Sequence, residues 1–387
     1  RCGYCDFVTY TTGELGGTRL RDGYADAAIA ELHVAARTLG ADRPPVSTVF
    51  FGGGTPTMLL ADDLVRVLAA VDDTLGLAPG AEVTVEANPD SVDDTSLARL
   101  RAGGFTRISF GMQSVRRHVL AVLERTHTPG GAEAAVRAAR DAGFAHVNVD
   151  LIYGTPGETD DDWLAALHAA IDTGADHISA YALTVEPRTR LGAQVRHGRV
   201  PAPDSDVQAR RYEMADDVLS AAGFAWYELS NWARDASARC AHNLLYWRND
   251  NWWGVGPGAH SHVGGTRWWN VRHPAAHAER VQRGEAPVEG SERCTPEERA
   301  LEDLMLGIRL ADGVDVHALA HTASIDDTVA QVDALVADGL VEPDAWRRQR
   351  RIVLTRSGRL VADSVVLRLQ PDASRDRAGC VASPTAP

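Results

Sequence analysis

Short runs rich in β-branched and aromatic residues recur through the first 230 residues, and a stretch of helical period separates each from the next. This alternation constrains the fold more than any other feature. Parallel strands can be joined only by a crossover long enough to hold a helix, so repeated strand–helix units imply a parallel sheet, closed or partly closed into a barrel. The strand candidates are 47–51, 82–87, 106–110, 147–151, 177–183 and 225–229. The clearest helix covers 60–75, where Leu60, Leu64, Val67, Leu68, Val71 and Leu75 share one face. Gly103-Gly104, Gly143 and Gly223 each precede a strand, as helix C-caps do. The fold class read from this pattern is α/β, a partial parallel (β/α) barrel over 1–230. No internal repeat is visible.

From Asn231 to His277 the alternation breaks, and this stretch holds six of the nine tryptophans and five histidines. It reads as an aromatic and histidine-rich loop region spanning 231–294. A small α+β module resembling a winged helix is expected over 295–369, with helices near 296–310 and 325–338 and a β-wing from 351–355 and 360–369. The Pro/Ala/Ser/Asp-rich tail, 370–387, is expected to be disordered.

Charge and composition exclude several functions. Net charge is −14, and residues 297–344 carry twelve acidic side chains against two arginines, so a phosphate-backbone partner is disfavoured and the C-terminal module is read as a packing or partner element. All 39 basic residues are arginine, which rules out Schiff-base chemistry and a Walker-type phosphate loop, because both require lysine. No apolar run approaches a membrane span, which leaves peripheral contact with a membrane as the remaining option. Five scattered cysteines are too few for a disulfide scaffold, which points to a reducing, cytoplasmic setting.

The chain opens Arg1-Cys2-Gly3-Tyr4-Cys5-Asp6-Phe7, as though inside a motif, and a strand is expected ahead of it. By itself a C-x-x-C pair is open between redox, zinc and iron–sulfur chemistry. The run Phe50-Phe51-Gly52-Gly53-Gly54-Thr55-Pro56 follows a strand, where glycines let backbone groups approach a ligand. Successive strands then end in polar groups: Glu86-Ala87-Asn88-Pro89, Gly111-Met112-Gln113-Ser114, Asn148-Val149-Asp150 and Tyr181-Ala182. One such group is usually a cap. Four in succession argue for a convergent polar pocket at the barrel mouth.

Taken together, CGYCDF, GGGTP, EANP, GMQS, Glu124-Arg125-Thr126-His127, NVDLIYG and SAYAL occur in the order and spacing of one family. The chain resembles the radical S-adenosylmethionine (SAM) enzymes related to oxygen-independent coproporphyrinogen III oxidase. His242-Asn243-Leu244-Leu245-Tyr246-Trp247 and Gly256-Pro257-Gly258-Ala259-His260-Ser261 are similar to the haem-chaperone branch of that family. The resemblance covers the chain up to its tail, including the C-terminal module.

The resemblance implies a C-x-x-x-C-x-x-C motif for a [4Fe–4S] cluster, with Cys2 and Cys5 as its second and third cysteines and the first ahead of Arg1. Soft thiolates suit such a cluster, and its remaining iron is left to the amino and carboxylate groups of SAM. By motif position, Gly53, Gly54, Thr55, Glu86, Gln113, Arg125, Asp150 and Ala182 resemble SAM contacts. Arg125 suits the SAM carboxylate, while Glu86 and Asp150 suit its ribose hydroxyls or ammonium. His242 is the expected haem contact, with Tyr246 on the same helical face, Trp247 beside it, Trp252 and Trp253 near by, and Cys240 and His260 as reserve ligands.

The function expected from the resemblance is a haem chaperone that holds haem, the cluster and SAM, and passes haem to an acceptor protein. The alternative is oxidative decarboxylation of coproporphyrinogen III. That enzyme has a further cysteine two positions after its third cluster ligand, and here the position is Phe7, which favours the chaperone. A third reading, a metal hydrolase built on Cys240, His242, His260 and His262, would require zinc. Cys294 and Cys380 are read as structural.

Overall fold

The protein is described from a computed structural model covering residues 2–10, 13–14, 19–125, 130–319 and 325–370. Each expected strand forms: β1 (Val46–Phe51), β2 (Leu77–Ala87), β3 (Arg107–Gln113), β4 (His146–Tyr153), β5 (His177–Ala182) and β6 (Ala225–Glu228). They join β7 (Asn231–Ala233) in one sheet of order β1-β2-β3-β4-β5-β7-β6. The strands β1 to β5 are parallel, and β7 runs antiparallel to both β5 and β6. The result is the expected α/β partial barrel, with β1 and β6 as its two edges.

Successive side chains along a strand point to opposite faces, and these strands keep the two faces chemically distinct. Val83, Val85, Ile108, Phe110, Val147, Val149, Ile178 and Ala180 point outward, under helices that contribute Leu64, Leu68, Leu97, Leu100, Val136, Trp163 and Leu167. The alternate positions are Glu82, Thr84, Glu86, Arg107, Ser109, Asn148, Asp150, His177 and Ser179. The barrel is therefore greasy outside and polar inside. The helices supply their own stops: Ala61–Leu75 follows the predicted apolar face, and Asp160–Asp172 starts on a capping box between Thr159 and Asp162.

The expectation of loops across 231–294 is overturned. Three strands, β8 (His260–Val263), β9 (Thr266–Asn270) and β10 (Val288–Arg293), form an antiparallel sheet of order β10-β9-β8, and a helix covers Ala241–Trp247. The β8–β9 hairpin turns on Gly264-Gly265, both at positive φ (59° and 78°), the two-residue geometry that matches strand twist. That Gly-Gly pair was the local signal, and the density of aromatics around it obscured the strands.

The expected β-wing is also corrected. Only β12 (Arg351–Ile352) forms there, pairing with β11 (Val314–Asp315), whereas Ala362–Leu369 is a helix. Its buried residues Ala362, Val365, Val366 and Leu369 fall at helical spacing and pack against Leu304, Ile308, Leu335 and Trp346. This module covers the exposed edge of β6, where Ala311 N–H donates to the Tyr227 carbonyl at 2.9 Å. The Arg359 guanidinium lies 4.1 Å from the Trp226 ring and pairs with Asp216 at 3.2 Å. Residues 371–387, expected to be disordered, lie outside the described residues. Among the described residues no helix is long and apolar enough to cross a membrane.

Candidate functional site

The Cys2–Cys5 loop lies over the C-terminal ends of the strands. Gly3 anchors it, donating to the Leu123 carbonyl at 3.4 Å and accepting from Leu191 N–H at 2.9 Å. A side chain at Gly3 would meet the Glu124 carboxyl carbon at 2.8 Å, so Glu124 packs directly over the loop and would have to shift to admit one. Tyr4 packs beside Val119, Leu123, Ile152, Leu183 and Leu191. Burial raises its hydroxyl above the ordinary range; the charge of Arg125 opposes this, and Cys2, Cys5 and Asp150 add to it. Both cysteines, Arg125 and Asp150 therefore act on one small region.

Strand register assembles the rest. Glu86 sits opposite Ser109, Gly111 opposite Asp150, and Asp150 opposite Ser179. Asp150 accepts from Ser109 Oγ at 2.7 Å and Asn148 Nδ2 at 2.8 Å. Burial raises its pKa, and those bonds and Arg125 oppose the rise. Glu86 is pushed up to about 8, chiefly by burial and then by the charge of Asp150, although Gly53 N–H donates to it at 3.2 Å. At Gln113 the pairing slips and φ is 63°, a bulge that re-aims this side chain at the end of β3. Arg125 reaches across Gly111, donating to its carbonyl at 3.4 Å; a Cβ at Gly111 would lie 2.4 Å from the guanidinium.

The pocket is incomplete by itself. Gln113 Oε1, Arg125 Nε, Asn88 Oδ1 and Thr9 Oγ1 are buried without a hydrogen-bond partner. Gly53 has open space where a side chain would be, so its backbone is accessible. Thr55 starts a short 3₁₀ turn and Ala182 ends β5, exposed, on the same side. Two crowded carboxyl groups, one guanidinium and orphaned amide and hydroxyl oxygens suit a ligand carrying positive charge, a carboxylate and hydroxyls. SAM has this composition. Of the Glu124–His127 motif, Thr126 and His127 lie outside the described residues.

A second cluster sits deeper, at the seam between the sheet edges. The Ala241–Trp247 helix bridges β1 and β6. His242 stacks on Phe50 at 5.0 Å and hydrogen-bonds Thr48 Oγ1 at 2.7 Å, while Trp247 hydrogen-bonds Glu228. Glu82 caps the start of the helix, accepting from His242 N–H at 3.0 Å and Ala241 N–H at 3.2 Å. Tyr246 hydroxyl lies 3.1 Å from His242 Nε2, so the two do share a face as expected. Burial lowers the His242 pKa to about 4, which keeps the ring neutral.

An aromatic ladder continues from Tyr246 to Trp252 at 4.8 Å and from Trp252 to His262 at 5.0 Å. His260 is not part of it. Two residues before His262 and on the same face of β8, it lies exposed at the strand start and stacks on Trp269. Trp247 faces away from His242. Cys240 is buried beside Glu82, its thiol pushed up to about 12, so it stays protonated. Among the described residues no three His, Cys, Asp or Glu side chains converge as a metal cage, which removes the geometry the hydrolase reading required. Glu82 and Thr48 were missed as residues that hold the His242 helix; polar side chains at every second position of otherwise apolar strands were the available signal.

A parallel partial barrel with a cysteine loop and a convergent polar pocket at its mouth defines a radical SAM protein. The Radical SAM superfamily profile matches residues 1–170, and that of the HemN C-terminal domain matches 294–361. The heme chaperone HemW of Mycobacterium tuberculosis (strain ATCC 25618 / H37Rv) is 50% identical over 95% of this chain and 90% of its own length. The heme chaperone HemW of Escherichia coli (strain K12) is 32% identical over 95% and 94%, and that of Bacillus subtilis (strain 168) 31% identical over 94% of each. The chain belongs to the HemW family. The solved structure of E. coli coproporphyrinogen III oxidase (HemN) shares the fold, with a TM-score of 0.77 at 22% identity over 95% of this chain and 87% of that one.

Proposed function

We propose that the protein is a haem carrier that holds a [4Fe–4S] cluster and SAM at the barrel mouth, takes haem as cargo and hands it to an acceptor protein in the cytoplasm. The observation that carries this reading is the pairing of kinship with heme chaperones at 50% identity with a neutral histidine set in an aromatic ladder. Cys2 and Cys5 supply thiolates to the cluster. Bound cluster and SAM together provide one-electron chemistry at the mouth.

The protein's own residues set the binding. Arg125 takes the SAM carboxylate, Glu86 and Asp150 accept from its ammonium and ribose hydroxyls, and Gln113 and the Gly53–Gly54–Thr55 backbone line the remainder. At the seam, His242 Nδ1 is hydrogen-bonded to Thr48 Oγ1 and Nε2 to the Tyr246 hydroxyl; iron ligation by Nε2 requires the tautomer that carries its hydrogen on Nδ1 and donates it to Thr48. Moving Tyr246 aside frees Nε2 for iron while Thr48 still orients the ring. Phe7, where an oxidase would carry a thiol, speaks against decarboxylation.

Anaerobically reconstituted protein, titrated with haem and assayed separately with coproporphyrinogen III, tests the proposal. A Soret band that saturates near one haem per chain, transfer of that haem to an apo-haemoprotein and no protoporphyrinogen are expected. SAM-dependent product over multiple turnovers would move the reading to the oxidase.

A further inference from the structure

Between the mouth and the seam runs a line of buried side chains used by neither. Cys240 N–H, which opens the seam helix, donates to the Tyr227 hydroxyl at 3.1 Å. Tyr227 lies 2.7 Å from His177 Nε2, His177 Nδ1 lies 2.5 Å from Asn148 Oδ1, and Asn148 Nδ2 lies 2.8 Å from Asp150 Oδ1. The proton positions follow from the chemistry. A carbonyl oxygen only accepts, so His177 Nδ1 carries hydrogen; the neutral ring then leaves Nε2 bare to accept from Tyr227. Burial drives the His177 pKa well below its ordinary value, in keeping with that tautomer. Each donor in the line therefore points towards Asp150, and bonds aligned in this way polarise one another.

None of the linking side chains can turn away cheaply. Tyr227 and His177 are each 1% exposed and Asn148 6%, and a broken bond would strand a buried polar atom. A second tie holds the same end of the helix: Arg107 Nε donates to Glu82 at 2.9 Å, and Glu82 caps His242. The line is thus stiff, directional and terminated by a ligand group at one end and a helix start at the other.

We propose that Tyr227 and His177 are positioning residues that couple the Asp150 pocket to the seam helix, so that a ligand at either end alters the order of the other. The haem half of this inference rests on the function proposed above; the SAM half rests on the pocket. Because the line is stiff, order that a first ligand imposes on the group at one end is passed to the group at the other and spares the second ligand that cost, so the coupling is positive.

The test uses the anaerobically reconstituted full chain. Amide hydrogen exchange of the peptide spanning residues 238–247 is followed by mass spectrometry with and without SAM. In the wild type SAM slows exchange there by about fivefold, at the lower end of ordinary allosteric coupling. Tyr227→Phe, which removes one hydroxyl and keeps the ring, abolishes the slowing while calorimetry still detects SAM binding. His177→Gln, whose amide can donate at one end and accept at the other, retains the slowing. His177→Phe serves as the break should Tyr227→Phe not fold. Equal slowing in the broken variants, or none in wild-type protein that binds SAM, overturns the coupling. In a second arm haem raises SAM affinity by about fivefold in the wild type and by less than about twofold in Tyr227→Phe; equal ratios overturn it. Wild type that binds SAM but no haem would defeat the carrier reading, and the exchange experiment would still decide this one.

Discussion

The barrel mouth and the seam are both lined by polar and aromatic side chains, yet the groups each would offer a ligand are hydrogen-bonded differently. At the mouth Gln113 Oε1, Arg125 Nε and Asn88 Oδ1 have no partner, and Asp150 still raises the Glu86 pKa although Arg125 acts on Asp150. At the seam both nitrogens of His242 are engaged and Glu82 is bonded to Arg107 and to the helix start. An unsatisfied buried polar group costs about 1–3 kcal/mol, so a ligand at the mouth repairs existing deficits, whereas one on His242 must first displace Tyr246. On the function proposed above, the mouth would retain its ligand and the seam would release its own. A carrier whose cargo must leave needs this difference.

The sharpest way to break the comparison is at the cysteines. Replacing both Cys2 and Cys5 with serine should remove nearly all iron and sulfide from reconstituted protein, a loss of more than about tenfold in brown absorbance, because serine is a poor soft donor. Haem binding at the seam should survive; joint loss would mean that the two regions are one site. Next in size, Arg125→Ala and Asp150→Ala each delete charge-assisted bonds worth on the order of 1.5–3 kcal/mol. Calorimetry should then find SAM binding weakened by about ten- to a hundredfold, with the circular dichroism spectrum unchanged. Unaltered affinity in both variants would refute the pocket.

At the seam a smaller effect is expected, since the ligand there competes with internal bonds. His242→Ala should shift the Soret maximum of bound haem and weaken its affinity by about tenfold, leaving cluster absorbance untouched. A wild-type spectrum would remove His242 as the iron ligand and end the proposed contrast.

The smallest effect concerns pH. Glu86 has a folded pKa of about 8 against an ordinary value of 4.5, so the folded state holds a proton that the unfolded state has lost throughout this window. Ligand-free protein should therefore lose stability as pH rises from about 4.5 to 8, by an amount of a few degrees in Tm, with no further loss from this group above that. Glu86→Gln should flatten the slope, and so should saturating SAM. A slope unchanged in Glu86→Gln would show that the carboxylate is already neutralised.

Much of the mouth could be read from consecutive residues, because each motif sits at one strand end and the parallel fold gathers strand ends on one side. The convergence of Glu86, Gln113 and Asp150 followed from that rule alone. Arg125 lies beyond β3, and its guanidinium takes the space left by the missing side chain at Gly111, a contact that spacing in the sequence does not show. The seam was half legible. Tyr246 joins His242 by helical spacing, but Trp247 and His260 were grouped with them by nearness in sequence; helix periodicity turns Trp247 away, and His260 stacks on Trp269 at the exposed start of β8.

Local order is written in neighbouring residues. The strands β1 to β6, the amphipathic Ala61–Leu75 helix and the spacing of the cysteines needed nothing distant, and the missed Ala362–Leu369 helix was also there to be read. The partners of His242 were not. Thr48 lies 194 residues before it, Glu82 lies 160 before it, and Tyr227 reaches the helix from the opposite sheet edge. Those contacts exist because the sheet curls until its edges face each other and one helix fills the gap. Curvature is a sum over seven strands, so the environment of the seam was decided by the tertiary structure alone.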